Sequence, residues 1–382
     1  MKKNTRFGTL YGFELRKIFK NRIAMIAFLI FFVFGFIQGE FEVSGNIAPE
    51  ILEIYRSLDG RVIDNELISE WNEACDEYGK AINDEDKAYE SMEEWIKDIA
   101  GWRKAIGDLE TDYLYSERLA GIEEAYEECF LNEGEKAYWR AQEEKIEKPF
   151  VWYDAFITFG IQNGISNTII IMLLVITAAL STIFASETQR KTDSMIRASV
   201  NGNKELYFAK ILAGTTFAMA SETVYLIVFL AYVRLRWGFD GLEVAEQIIY
   251  PYTQMDLNAK DVVIILIVLS LLGTFMLTAV TMFLSDILRN GVGTMAAMIG
   301  GYLGLFALSS AVPMQMKTLS KIINLFPGIQ ISPRLVYEFR LFKIGGTYLR
   351  SYQAAGISYV IISAALLILG YFHYKKYEIK SN

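Results

Sequence analysis

The 382-residue chain is 53% hydrophobic and 21% charged, with a net charge of −8, a composition that excludes a disordered polymer. The mean hides a division: residues 40–154 hold 32 Asp and Glu against 12 Lys and Arg, a local net charge of −20, while the remainder, with 13 acids and 25 bases, is +12. The basic part carries charge-free stretches too long for soluble core helices, so a soluble globular fold is excluded as well.

The chain opens on residues 1–22. Phe7, Leu10, Tyr11, Leu15 and Ile18 share one face of a helix, and Arg6, Arg16, Lys17 and Lys20 share the other. This pattern predicts a cytoplasmic amphipathic helix lying in the membrane interface, with a plain basic topogenic tail as the alternative. Residues 23–39 are charge-free for 17 residues and predict the first transmembrane helix. A cleaved signal peptide is disfavoured, because the basic flank is long and amphipathic and no small-x-small cleavage site follows.

Residues 40–154 are rich in Glu, Ala, Lys, Tyr and Trp and poor in Pro and Gly, which suits helices. Trp71, Ala74, Cys75, Tyr78 and Ile82 recur at helical spacing. An acidic, extracellular, mostly helical domain is expected here. It holds both cysteines, Cys75 and Cys129. On an outer face a disulfide between them is one reading, and two packed free thiols are the other. Without neighbouring histidines the pair does not suggest a metal site.

Beyond residue 155 the apolar stretches predict five further transmembrane helices, at about 163–186, 206–233, 262–285, 292–312 and 352–373. The expected fold is therefore an all-α polytopic membrane protein with six transmembrane helices and an insert between the first two. The third stretch is broken by Lys210 near its start and Glu222 near its middle. A carboxylate in hydrocarbon is costly unless paired, hydrated or protonated. Glu222 is either a group on the translocation path or a hydrogen-bond anchor between helices.

Basic residues set orientation. The N-terminal bases, and Lys375, Lys376 and Lys380 at the other end, place both termini in the cytoplasm and the acidic insert outside. The loop 313–350 opposes this, with Lys317, Lys321, Arg334, Arg340, Lys343 and Arg350 against Glu338 alone. Contact with lipid phosphates or with the acidic insert would accommodate these bases.

No catalytic residue is expected. The one histidine, His373, excludes His-based zinc sites and His-dependent triads. The glycine-rich phosphate loop of nucleotide-binding proteins is absent, so any ATP and Mg would be bound by another chain. The stretch 184–210 joins the second and third helices. A short polar helix over 192–199, a turn at Asn201-Gly202, a cap at Asn203 and Glu205 in the next first turn make a projection shaped to meet a cytoplasmic partner.

The glutamate after the second span, the short helix, the polar turn and the Ala209-Lys210 pair that opens the third span together resemble the permeases of type-2 ABC (ATP-binding cassette) exporters. So does the opening Tyr11-Gly-Phe-Glu14-Leu-Arg-Lys17-Ile-Phe-Lys20-Asn. The resemblance covers the layout of the whole chain, except that the insert is larger than in minimal members. It implies that the segment between the second and third spans couples to an ATPase subunit, through Glu187, Thr192, Met195, Ile196, Arg197, Lys204, Glu205 and Lys210. It also implies short re-entrant helices before the last span, where Leu319–Phe326 precedes Pro327-Gly328. The expected partners are an ABC-type ATP-binding subunit, a second copy or a related permease, and membrane lipid, with no nucleic acid. A bacterial plasma membrane is the expected location. The acidic insert with its interleaved aromatics (Trp71, Trp95, Trp102, Tyr113, Tyr115, Trp139, Trp152) suggests a cationic amphipathic peptide as substrate, as in antimicrobial resistance. The alternatives are a membrane-anchored receptor or scaffold, and an ion-coupled secondary transporter.

Overall fold

The computed structural model describes residues 3–45, 47–76, 78–101, 109–192 and 204–376. Six of its helices are long and apolar enough to cross a membrane. Helix α1 (Lys3–Lys20) ends at Asn21, whose side chain caps α2 (Arg22–Ser44), the first span, by accepting from the Ala24 amide at 3.3 Å. The insert follows with α3 (Pro49–Tyr55), α4 (Asn65–Ala74), α5 (Glu93–Ala100), α6 (Thr111–Glu128) and α7 (Glu133–Glu143). The second span is α8 (Phe156–Leu180), followed by the short α9 (Ala185–Gln189). Then come the third span α10 (Lys204–Arg236), α11 (Glu246–Ile249), the fourth span α12 (Ala259–Leu288) and the fifth span α13 (Gly291–Ala311). Short helices α14 (Lys317–Ile323) and α15 (Pro327–Gln330) lead to the antiparallel hairpin β1 (Leu341–Ile344) and β2 (Thr347–Arg350), and the sixth span α16 (Ser351–Lys376) closes the chain.

The spans are longer than the charge-free stretches because charged residues at their ends stay helical and find partners. The first span continues past Gly39, and its Glu40 and Glu42 accept from Trp237 Nε1 (3.4 Å) and Asn167 Nδ2 (3.2 Å) of neighbouring segments. The second span is the axis of the bundle: 78% of its apolar stretch is buried, against 17% in the first and 22% in the fifth and sixth. The first span crosses it at Gly160, where a Cβ would lie 2.5 Å from the Glu42 carbonyl oxygen and the Val43 Cα, so only glycine permits this approach.

The insert is not a self-contained bundle. One of its apolar cores joins Leu67, Trp71, Met92 and Trp95 to Val244 and Ile248 from the loop between the third and fourth spans. A second joins Ile122, Tyr126 and Trp139 to Met255, Phe339 and Leu341 from two other segments of the chain. Polar links match: Trp95 Nε1 donates to the Gln247 carbonyl (2.9 Å), and Trp139 Nε1 to the Phe339 carbonyl (3.1 Å). Arg118, fully buried, donates to Glu143 at 2.6 Å and to the carbonyls of Pro251 and Thr253.

The basic loop that runs against the charge rule is part of this assembly. Lys321 pairs with Glu135 at 2.8 Å, Arg350 donates to Gln142 (3.0 Å) and Tyr138 (3.2 Å), and Lys317 donates to the Phe130 carbonyl. Its α14 and α15 are the short helices expected before the last span, and Gly273 of the fourth span lies against Pro327 and Ile331 of this segment.

Candidate functional site

At the end of the bundle where α1 meets the second and third spans, four charges come together. Lys210 is completely buried in the third span's second turn, and its Nζ lies 2.7 Å from Glu187 Oε1 and 3.3 Å from Glu14 Oε2. It also donates to the Ile183 carbonyl at 2.8 Å and sits over the Phe184 ring. Lys17 closes the set, 3.1 Å from Glu14 and 3.6 Å from Glu187. Two acids and two bases make a neutral quartet, so the cluster carries no net charge into the membrane.

Local sequence explains each position. Glu14 and Lys17 are three residues apart on α1 and pair with each other, with Glu14 buried and Lys17 partly exposed. The second span stops at Leu180, the chain turns, and α9 presents Glu187 inward, with Thr192 closing that turn by hydrogen bonds to the Glu187 carbonyl from its amide (3.0 Å) and its hydroxyl (3.3 Å). The quartet thus rivets three elements whose members lie up to 196 residues apart. Breaking one partner of such a buried cluster costs roughly 3–5 kcal/mol, because the remaining charge is left uncompensated.

Of the residues implied in coupling, Glu187 and Lys210 meet directly and Thr192 borders them. Lys204 and Glu205 are exposed on the first turn of the third span. Met195, Ile196 and Arg197 lie outside the described residues, as do Asn201 and Asn203. Glu14 and Lys17 are visible in the opening motif, but nothing in their spacing names Lys210 as a partner. The signal available is the isolated lysine of an apolar stretch, which requires an acid somewhere.

Glu222 is a separate site. It is fully buried in the third span and accepts from Thr168 Oγ1 of the second span (3.1 Å) and from Ser270 Oγ of the fourth; the two hydroxyls are 2.8 Å apart. Its Oε2 and the Tyr225 hydroxyl, both buried, have no hydrogen-bond partner among the described residues. These hydrogen bonds tie the second, third and fourth spans together at mid-bundle.

Other expectations change. The cysteines are free thiols. Cys75 is buried in the first core of the insert, and Cys129 packs against the second, so separate cores hold the two thiols apart. Burial pushes the Cys75 thiol up to about 12, with nearby acids, Glu90 first, adding to it. Trp71, Trp95, Trp139 and Trp152 are core residues, not an exposed recognition surface. Trp102 lies outside the described residues. His373 bonds Asp286 at 2.6 Å near the same end of the bundle as the quartet. Among the described residues no cluster of His, Cys, Asp and Glu suits a metal ion.

Sequence reasoning also misses two acids at the insert end of the bundle. Glu246 is fully buried under the insert, and both its oxygens lie 3.1 Å from Gln162 Nε2. Burial without a cation raises its pKa to about 8. Asp154, at the base of the insert, is raised to about 6 by burial and by Asp59.

Six apolar helices, five of them around a central second span, with a charge-riveted junction at one end, define a multi-pass helical membrane protein. A family model described as ABC-2 family transporter protein matches residues 9–379, nearly the whole chain, so the protein belongs to the ABC-2 transporter family and is the membrane-spanning permease component of an ABC transporter. Comparison with curated proteins and with solved structures returns no match. Membership implies a partner subunit that binds ATP, and replaces the receptor and ion-coupled alternatives.

Proposed function

We propose that the chain couples ATP hydrolysis in a separate ATP-binding subunit to export of a substrate, and that the quartet of Glu14, Lys17, Glu187 and Lys210 carries the coupling. The observation behind this reading is the rivet itself. Segment 187–210 carries Glu187 and Lys210 at its ends and is tied to α1 through Glu14 and Lys17, so a partner pressing on it moves the second span, the third span and the interfacial helix together. Both termini and this junction are cytoplasmic on this reading, and the insert is outside, in a bacterial plasma membrane. Met195, Ile196 and Arg197 supply the contact with the ATPase, which binds the ATP and Mg.

Two copies, or this chain and a related permease, enclose the path. The fifth span supports this: a Cβ added at Gly300, Gly301 or Gly304 would meet no atom within 4 Å, which leaves bare backbone for a second helix. The acid-rich outer surface supports a cationic substrate, an amphipathic peptide of the antimicrobial kind, through its long-range field. The buried tryptophans remove the aromatic half of that argument.

The test is co-expression with the ATP-binding subunit and measurement of complex formation and ATP turnover. Met195→Asp and Ile196→Asp should abolish stimulated turnover while leaving the permease inserted and folded. Unchanged association and turnover in both variants would remove the coupling assignment.

A further inference from the structure

Beside the quartet lies a cleft of about 680 Å³ between α1 and the adjoining end of the second span. Its apolar lining comes from Phe13 and Ile18 of α1, Ala179 of the second span and Ile183 of the turn that follows that span. Its rim is basic, with Arg16, Lys20, Arg22 and Arg190. The one acid in the lining, Glu14, is already matched by Lys17 and Lys210. Among the described residues, none of the four rim bases is paired with an acid. Phe13 is 62% exposed, so the cleft offers apolar surface and unmatched positive charge side by side.

We propose that this cleft binds one anionic phospholipid, its phosphate held between Arg190 and the α1 bases Arg16 and Lys20, and its acyl chain laid along Phe13 and Ile183. Depth argues for a lipid. The apolar lining comes from the end of a span, the turn that follows it and a helix whose two faces suit the membrane interface, which is where headgroup meets hydrocarbon. Charge argues for an anionic one. Each base near such a surface adds attraction to phosphatidylglycerol-like lipids, and a zwitterionic headgroup brings no net charge to answer four cations. The occupant therefore clamps α1 against the second span next to the quartet. The assignment rests on the coupling reading only for naming the leaflet as the inner one.

Native mass spectrometry of the purified full chain tests it, with phosphatidylglycerol and phosphatidylcholine of identical acyl chains added in turn. The wild type should retain one phosphatidylglycerol at least about fivefold better than phosphatidylcholine. Lys20→Gln combined with Arg190→Gln should erase that preference, whereas Lys317→Gln combined with Arg334→Gln, at the opposite end of the molecule, should keep it. Equal retention of the two lipids by the wild type, or an unchanged preference in the Lys20/Arg190 variant, overturns the proposal. So does a Lys20/Arg190 variant that keeps its lipid but no longer binds the ATP-binding subunit, which would assign the rim to protein docking. None of these lipid measurements depends on ATP turnover, so failure of the lipid site and failure of coupling are read separately.

Discussion

The two ends of the bundle bury acids in opposite ways. At the quartet end, Glu14 and Glu187 are neutralised by Lys17 and Lys210 at 2.7–3.6 Å. At the insert end, Glu246 is equally buried and meets only the amide of Gln162. A paired carboxylate stays charged and depends on its partner's presence. A lone buried carboxyl stays protonated and depends on pH. The first arrangement fixes three chain segments in one geometry; the second leaves a proton-sensitive point beneath the insert.

The largest effect that this comparison predicts comes from removing one charge of the quartet. Lys210→Met leaves Glu14 and Glu187 buried with Lys17 as their only cation, and should destabilise the protein by roughly 3–5 kcal/mol. Thermal unfolding of the purified chain measures this. The double variant Lys210→Met with Glu187→Gln should recover part of the loss, since it removes a charge of each sign. A Lys210→Met chain as stable as wild type would mean that the pairs carry no structural weight.

At the other end the variable is pH. Glu246 titrates near 4.5 when unfolded and near 8 when folded, so the folded state holds the extra proton between these values. Its contribution to stability is full below about pH 4.5 and is lost as pH rises through 8, on the order of 5 kcal/mol across the window. Asp154, raised from 3.8 to about 6, adds a smaller loss at lower pH. Unfolding temperature should therefore fall from pH 5 to pH 8.5, and Glu246→Gln should flatten most of that slope. A slope unchanged by Glu246→Gln would place the proton elsewhere.

How much of this can be read in the chain follows from what composition records. Six spans follow from runs of apolar residues, because hydrocarbon thickness imposes their length. Glu187 and Lys210 stand out because each is a charge beside an apolar run, and the structure unites them. The Glu14–Lys210 contact joins positions 196 apart, and no local pattern encodes such a distance. Glu246 is invisible for a different reason: it sits in a polar loop, where an acid is ordinary, and only tertiary packing buries it. The insert misleads in the same way. Its tryptophans have the spacing of an exposed or a buried stripe alike, and the loops that cover them come from elsewhere in the chain.

Glu222 sharpens the contrast at an intermediate scale. It is as buried as Glu246 but has two hydroxyl donors instead of an amide. Glu222→Gln keeps an acceptor for Thr168 and Ser270 and should change stability by less than about 0.5 kcal/mol. Glu222→Leu removes that acceptor and should cost about 1–2 kcal/mol. The ordering of the two variants in thermal unfolding decides the matter. Loss of transport in a fully stable Glu222→Gln chain would instead put the carboxylate on the path.

The smallest effect concerns the thiols, and it tests which end faces outward. Cys75 is 3% exposed, and its thiol is held protonated by burial, so the nucleophilic thiolate is scarce. Cys129 sits at the end of α6 and is only partly buried. Both belong to the insert, which lies outside on the proposed orientation. A membrane-impermeant maleimide applied to intact cells should therefore label Cys129, and Cys75 several-fold more slowly. Cys129→Ser should remove most of the fast signal without prior reduction, because no bridge joins the two. Labelling that appears only after lysis would invert the molecule, putting the acid-lined end with Glu246 in the cytoplasm and the quartet outside, where no ATP-binding subunit could reach it.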